Sequence, residues 1–113
     1  AGELKHGPIA IIEPGMPVFA VVPPKGRDQL HDKMISNIQE VRARGGRIIV
    51  LVEEGDDEVA PYADITIELP HVSTLLQPVL ATVPLQLFAC ELATVLGNDV
   101  DQPRNLAKSV TVE

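Results

Sequence analysis

Aromatic residues are scarce, at 3% of the 113, and tryptophan is absent. A core built from this chain must therefore be aliphatic. The scarcity also removes the stacking platforms on which single-strand nucleic-acid binders seat bases. Positive charge is short as well: 9 Lys and Arg stand against 16 Asp and Glu, a net charge of −7. That argues against a nucleic acid or an anionic membrane as partner. An anionic small molecule stays open, because a local pocket can differ in sign from the whole. The single cysteine, Cys90, leaves no internal disulfide and suits a reducing, cytoplasmic setting. Cys90 and the histidines His6, His31 and His71 are scattered without metal-ligand spacing. No Gly-rich phosphate cradle of the G-x-G-x-x-G or Walker kind is found. No metal and no cofactor are expected. Repeats and low-complexity segments are missing too. "AGELKHGP", at the start, has neither the basic nor the apolar region of a signal peptide. The chain reads as a fragment of a longer protein.

What is there is an ordinary globular composition, 45% apolar and 22% charged. At this length about two-thirds of the unfolded surface can be buried, enough for one modest core. "VFAVV" (18–22) and "RIIVLV" (47–52) are short apolar runs bounded by Pro or Gly. Such runs suit strands buried on both faces of a parallel sheet. "DITIEL" (64–69) alternates, which predicts a strand with one wet face near a sheet edge. Between the first two runs, Leu30, Met34, Ile38 and Val41 form one stripe of a helix. Asp28 and Asp32 lie early in it and Arg42 and Arg44 late, in line with the macrodipole, and Gly45 suits the C′ position. Strand, helix and strand together make a βαβ unit.

Residues 72–96 carry one charge, Glu91. The stretch is long enough for a membrane span. Its two prolines, two glutamines and one glutamate, with no flanking basic anchors, fit a span poorly. A helix apolar nearly all round, buried in a core or a subunit interface, is the better reading. Pro84 is expected to kink or split it, and Gly97 to end it. Thr74 and Gln77 have the spacing of a capping box. The acidic run "EEGDDE" (53–58) reads as a solvated turn. The fold class is α/β with a parallel sheet, and three strands make that sheet look incomplete.

Few residues suggest chemistry. His6, followed by Gly7-Pro8 and flanked by Lys5, is either a surface histidine before a turn or a positioned general acid/base. His31 falls on the polar side of the predicted helix and His71 in a loop, and neither suggests a site. Cys90, in the apolar helix, reads as a small inert core residue. Lys108 is the only cation in 105–113. It is either a solvated tail lysine or, once desolvated, a group that forms an imine with a carbonyl or polarises its oxygen. The residue physics does not choose between these.

The two ends of the chain, "AGELKHGPIAII" (1–12) and "DVDQPRNLAKSVTVE" (99–113), closely resemble the C-terminal isomerase domain of the glutamine:fructose-6-phosphate aminotransferase family. "VRARGGRIIVL" (41–51) and "VPLQLFACELA" (83–93) resemble it as well. The resemblance implies a sugar isomerase (SIS) fold, an αβα sandwich on a parallel sheet. Residues 1–98 would be the C-terminal part of a second SIS subdomain and 99–113 an active-site tail. It implies a reaction in which fructose-6-phosphate and glutamine-derived ammonia give glucosamine-6-phosphate. His6 would be the histidine of sugar ring opening, reaching the site from the neighbouring subunit of a homodimer. Lys108 would meet the sugar carbonyl, Ala107 would contact the sugar through its backbone, and Ala107 and Val110 would wall an ammonia channel. The family's glutamate base and serine-rich phosphate loop have no counterpart and would lie upstream, along with a glutaminase domain and another SIS subdomain. The fragment alone is therefore expected to be inactive. Two alternatives are a non-catalytic SIS module that senses a sugar phosphate and a deaminase or isomerase using free ammonia.

Overall fold

The computed structural model of the chain describes residues 2–26, 29–102 and 104. They fall into two compact units, 1–77 and 78–113. The first unit holds strand β1 (Pro17–Val21), helix α1 (Leu30–Arg42), strand β2 (Arg47–Glu53) and strand β3 (Ile65–Leu69). Short 3-10 turns occupy Leu4–His6, Pro8–Ile11 and Ala60–Tyr62. Helix α2 (Gln77–Val95) opens the second unit, its first residue belonging to the first.

The sheet is parallel throughout, in the order β1-β2-β3. Ala20 pairs with Val50, and Val50 with Thr66. The central place falls to β2, the most uninterruptedly apolar run, and Ile48 to Val52 are all buried. This is what a strand covered on both faces demands of its sequence. The expectation that β1 is equally buried is corrected. β1 is an edge strand of this sheet and only half-buried, with Val21 exposed. β3 takes the other edge, as its alternation predicted, with Leu69 buried and Ile65 exposed.

Alternate residues of β2, namely Ile48, Val50 and Val52, share a core with Val22, Val59 and Ile38 and Val41 of α1. Burying each such side chain contributes about 1.5–3 kcal/mol. Asp64 locks the start of β2: the Ile48 N–H donates to its Oδ2 at 2.7 Å, and its own N–H donates to the Ile48 carbonyl at 2.9 Å. Arg42 Nη1 donates to the Pro61 carbonyl at 3.1 Å and ties the end of α1 to the connection before β3.

The stripe of α1 keeps Met34, Ile38 and Val41 as expected but differs at its first member. Leu30 is exposed and His31 is buried in its place, at 1%. His31, Met34, Ile38 and Val41 have 3- and 4-residue spacings, so His31 belongs to the same face by helical geometry.

Helix α2 runs through Pro84 without being split. Its apolarity does not place it in a core of this chain: Ala81 alone of its residues is buried, while Val79, Val83 and Leu87 stand exposed. By length and composition it is long and apolar enough to cross a membrane. The Gln77 side chain donates to the Val22 carbonyl at 3.4 Å instead of forming the capping box read from Thr74.

Candidate functional site

Open parallel sheets bind ligands outside the carboxyl ends of their strands, where the loops that follow them meet. In the first unit these ends are Val21, Glu53 and Leu69. Three contacts between a lysine or histidine nitrogen and a carboxylate gather there, each joining the end of β2 or the segment after it to a different part of the chain. Lys25, in the loop after β1, bonds Glu58. His31 Nε2, in the first turn of α1, lies 2.6 Å from Asp56 Oδ2. His71 Nδ1, just beyond β3, lies 2.7 Å from Glu53 Oε1.

The contacts differ in exposure and so in strength. Lys25 and Glu58 are half exposed. The bond to Glu58 raises the Lys25 ammonium above the ordinary lysine value, with Asp56 and Asp32 adding to the effect. Burial opposes it. His71 is mostly exposed against a largely covered Glu53. His31 and Asp56 are both removed from water, with side chains 2% and 7% exposed. An ionised carboxylate can only accept, so His31 Nε2–H is the donor. The other ring nitrogen, Nδ1, is buried without a hydrogen-bond partner, and Asp32 Oδ1 lies 3.5 Å away.

The acidic run 53–58 is therefore not simply a solvated turn. Gly55 adopts φ +84° and turns the chain, and Asp56 points inward onto His31. His31 and His71, read as inert from their surroundings in the chain, both engage carboxylates. The helical spacing of His31 to Ile38 and Val41 was a usable signal. No local pattern pairs His71 with Glu53, because the pairing depends on the β2–β3 register. Among the described residues, no group of three or more His, Cys, Asp or Glu converges as metal ligands.

His6 ends the first 3-10 turn, exposed, its N–H donating to the Glu3 carbonyl at 3.0 Å. Beside it, Glu3, Leu4, Pro8, Phe19, Met34 and Asn37 help line a largely apolar hollow of about 370 Å³. His6 itself is not part of that lining. In the second unit, Cys90, Asn98, Asp99, Gln102 and Arg104 border a hollow of about 650 Å³. Cys90 is exposed there, which corrects its reading as a core residue. Asp99 Oδ1 accepts from the N–H groups of Asp101 and Gln102 at 2.9 and 3.0 Å, so an Asx turn opens the tail segment. Ala107, Lys108 and Val110 lie outside the described residues.

Comparison with known proteins gives a consistent result. The SIS domain profile matches residues 1–96. Glutamine--fructose-6-phosphate aminotransferase [isomerizing] of Streptomyces coelicolor is 70% identical over 114 residues, which is 100% of this chain and 18% of that protein. The proteins of the same name from Corynebacterium diphtheriae and Mycobacterium tuberculosis are 68% and 64% identical with the same coverage. The C-terminal domain of glucosamine-fructose-6-phosphate aminotransferase from Francisella tularensis superposes with a TM-score of 0.77 at 45% identity. That match covers 89% of this chain and 28% of the other. The chain thus spans about a fifth of the length of the curated relatives it matches.

Proposed function

The chain belongs to the SIS domain family, and from that premise we propose that it serves within the isomerase part of a glutamine:fructose-6-phosphate aminotransferase. In this reading it is carried by a longer, cytoplasmic polypeptide with a glutaminase domain and an upstream SIS subdomain. That polypeptide works as a homodimer, converting fructose-6-phosphate and ammonia to glucosamine-6-phosphate. The observation that carries the reading is the reach of the resemblance. Identity of 64–70% extends over the whole chain, so both ends lie inside the alignment.

Chemistry follows from the residue types. His6, exposed after Glu3 and before Gly7, is free of packing constraints and suits proton transfer during sugar ring opening. Lys108 would attack the C2 carbonyl of the sugar. Loss of water from that adduct gives an imine, which ammonia then displaces, returning the lysine amine. Ala107 and Val110, one on each side of Lys108 and Ser109, are small and apolar, suited to a dry passage for ammonia. Proton transfer between C1 and C2 needs a carboxylate base from outside this chain. The uncovered apolar surface of α2 supports the same reading, since a large share of the domain that would cover it lies in the rest of the polypeptide.

The test is glucosamine-6-phosphate formation by the longer polypeptide from glutamine and fructose-6-phosphate, with and without Lys108→Ala. The expected result is product from the parent and a loss of about a hundredfold or more in the variant, with glutamine hydrolysis retained. Absence of product from the parent would favour a sensing module. Equal activity of the variant would remove Lys108 from the chemistry.

A further inference from the structure

The buried contact between His31 and Asp56 is not used by the proposed chemistry, and its surroundings are unusual. The segment 55–58 starts at Gly55, with φ +84°, and ends beside Val59, which is fully buried in the core. Just before it, Glu54 N–H donates to the Leu69 carbonyl of β3 at 2.8 Å. Within it the backbone ties are local: Asp56 N–H donates to the Glu53 carbonyl at 3.1 Å, and Glu58 N–H to Asp56 Oδ1 at 3.1 Å. Side chains tie this segment to α1 and the loop before it, through Asp56 on His31 and Glu58 on Lys25. We propose that residues 55–58 form a latch, closed over the start of α1 by the His31–Asp56 bond, that opens locally while the sheet stays folded.

Two physical features set the balance of this latch. The closed state gains a charge-assisted hydrogen bond shielded from water, stronger than an exposed ion pair. It also leaves His31 Nδ1 buried and unpaired, which costs the closed state part of that gain. Opening of 55–58 rehydrates both groups and leaves the β2–β3 pairing intact, since its register ends at Glu53 and Leu69 and the adjoining bond from Glu54 N–H to the Leu69 carbonyl lies outside the latch. Among the described residues, the charged groups beside the bond are Asp32 on α1, 3.5 Å from Nδ1, Lys25 before α1, and Glu58 on the latch. The latch borders the carboxyl ends of β1 and β2, so its position sets access to that edge. This inference stands on geometry alone and does not depend on the proposed reaction.

Native-state hydrogen exchange on the longer polypeptide tests it. In the wild type, amides in 55–58 should exchange with a rate nearly independent of low denaturant, the mark of local opening. Amides in 48–52 should show a steep dependence. Asp56→Asn should speed exchange in 55–58 and 29–33 by about tenfold or more, while 48–52 keep their steep dependence. Adding His31→Asn should give no further increase, because both changes remove the same bond. A common denaturant dependence for 55–58 and 48–52 in the wild type would overturn the proposal even if neither variant folds. So would unchanged exchange at 55–58 in Asp56→Asn.

Discussion

Helices α1 and α2 close in the same way. Gly45 N–H donates to the Arg42 carbonyl and Gly46 N–H to Val41, while Gly97 N–H donates to Thr94 and Asn98 N–H to Ala93. Both patterns are Schellman caps with a left-handed glycine, at φ +82° in one and +74° in the other. Beyond the cap the two helices part. The inner face of α1 is buried, with Ile38 and Val41 at 3% exposure. The more apolar α2 leaves Val79, Val83 and Leu87 at 50–66%. Apolar content thus says that a surface is destined to be covered, whereas a stripe says where. The stripe of α1 matches one sheet face of its own chain. An all-round apolar helix asks for more cover than a chain of this size supplies.

The sharpest way to break this contrast is to cut into the buried side of it. Ile48→Ala removes a fully buried side chain from the cluster of Val22, Ile38 and Val50. A loss of about 2–5 kcal/mol is expected in urea unfolding of the 113-residue chain. A cost below about 1 kcal/mol would mean that the sheet and α1 pack more loosely than their burial implies.

The two capping glycines offer a second comparison with the chemistry held constant. Either Gly→Ala change forces a side chain into the left-handed region, at about 1–2 kcal/mol. At Gly45 the added Cβ would also meet Pro14 Cα at 3.0 Å, while at Gly97 nothing among the described residues lies within 4 Å. Gly45→Ala should therefore lower the unfolding midpoint more than Gly97→Ala. Equal effects would show that Pro14 yields freely.

What could be read in the chain follows the same division. β2, the edge position of β3 and the cap at Gly45 were legible because each depends on local sequence: an apolar run, an alternation, a glycine after a stripe. The half-exposed state of β1 was not legible, since an apolar run does not say how many neighbours its strand has. His31 was misassigned by a single residue, because Leu30 looked the better start of the stripe. A histidine can hold a buried helix position only if a partner arrives from elsewhere, and Asp56 comes from 25 residues away. The tail residues Ala107, Lys108 and Val110 entered through resemblance, not through physics of the residues themselves.

On the exposed side of the contrast the expected effects shrink. Leu87→Gln changes a residue that is 60% exposed on α2. The unfolding free energy of the chain should move by no more than about 0.5 kcal/mol. Binding of an apolar dye and self-association should both fall, because the substitution interrupts an uncovered apolar surface. A large loss of stability would mean that α2 is already packed in this chain, and the contrast would collapse.

The smallest effect is expected at Lys25. Its contact with Glu58 looks like the His31–Asp56 contact on paper, a basic side chain on a carboxylate of the same short segment. The difference is water: Lys25 and Glu58 are 59% and 49% exposed, against 2% and 7% for the buried pair. Solvent screens the exposed pair, and holding two long side chains in one geometry costs entropy. Lys25→Met should leave the urea midpoint unchanged within error, in low salt and in high salt, whereas Asp56→Asn should lower it. A Lys25→Met shift as large as that of Asp56→Asn would mean that charge alone, not burial, holds residues 55–58. The segment would then respond to ionic strength, a dependence that a bond closed off from water should not show.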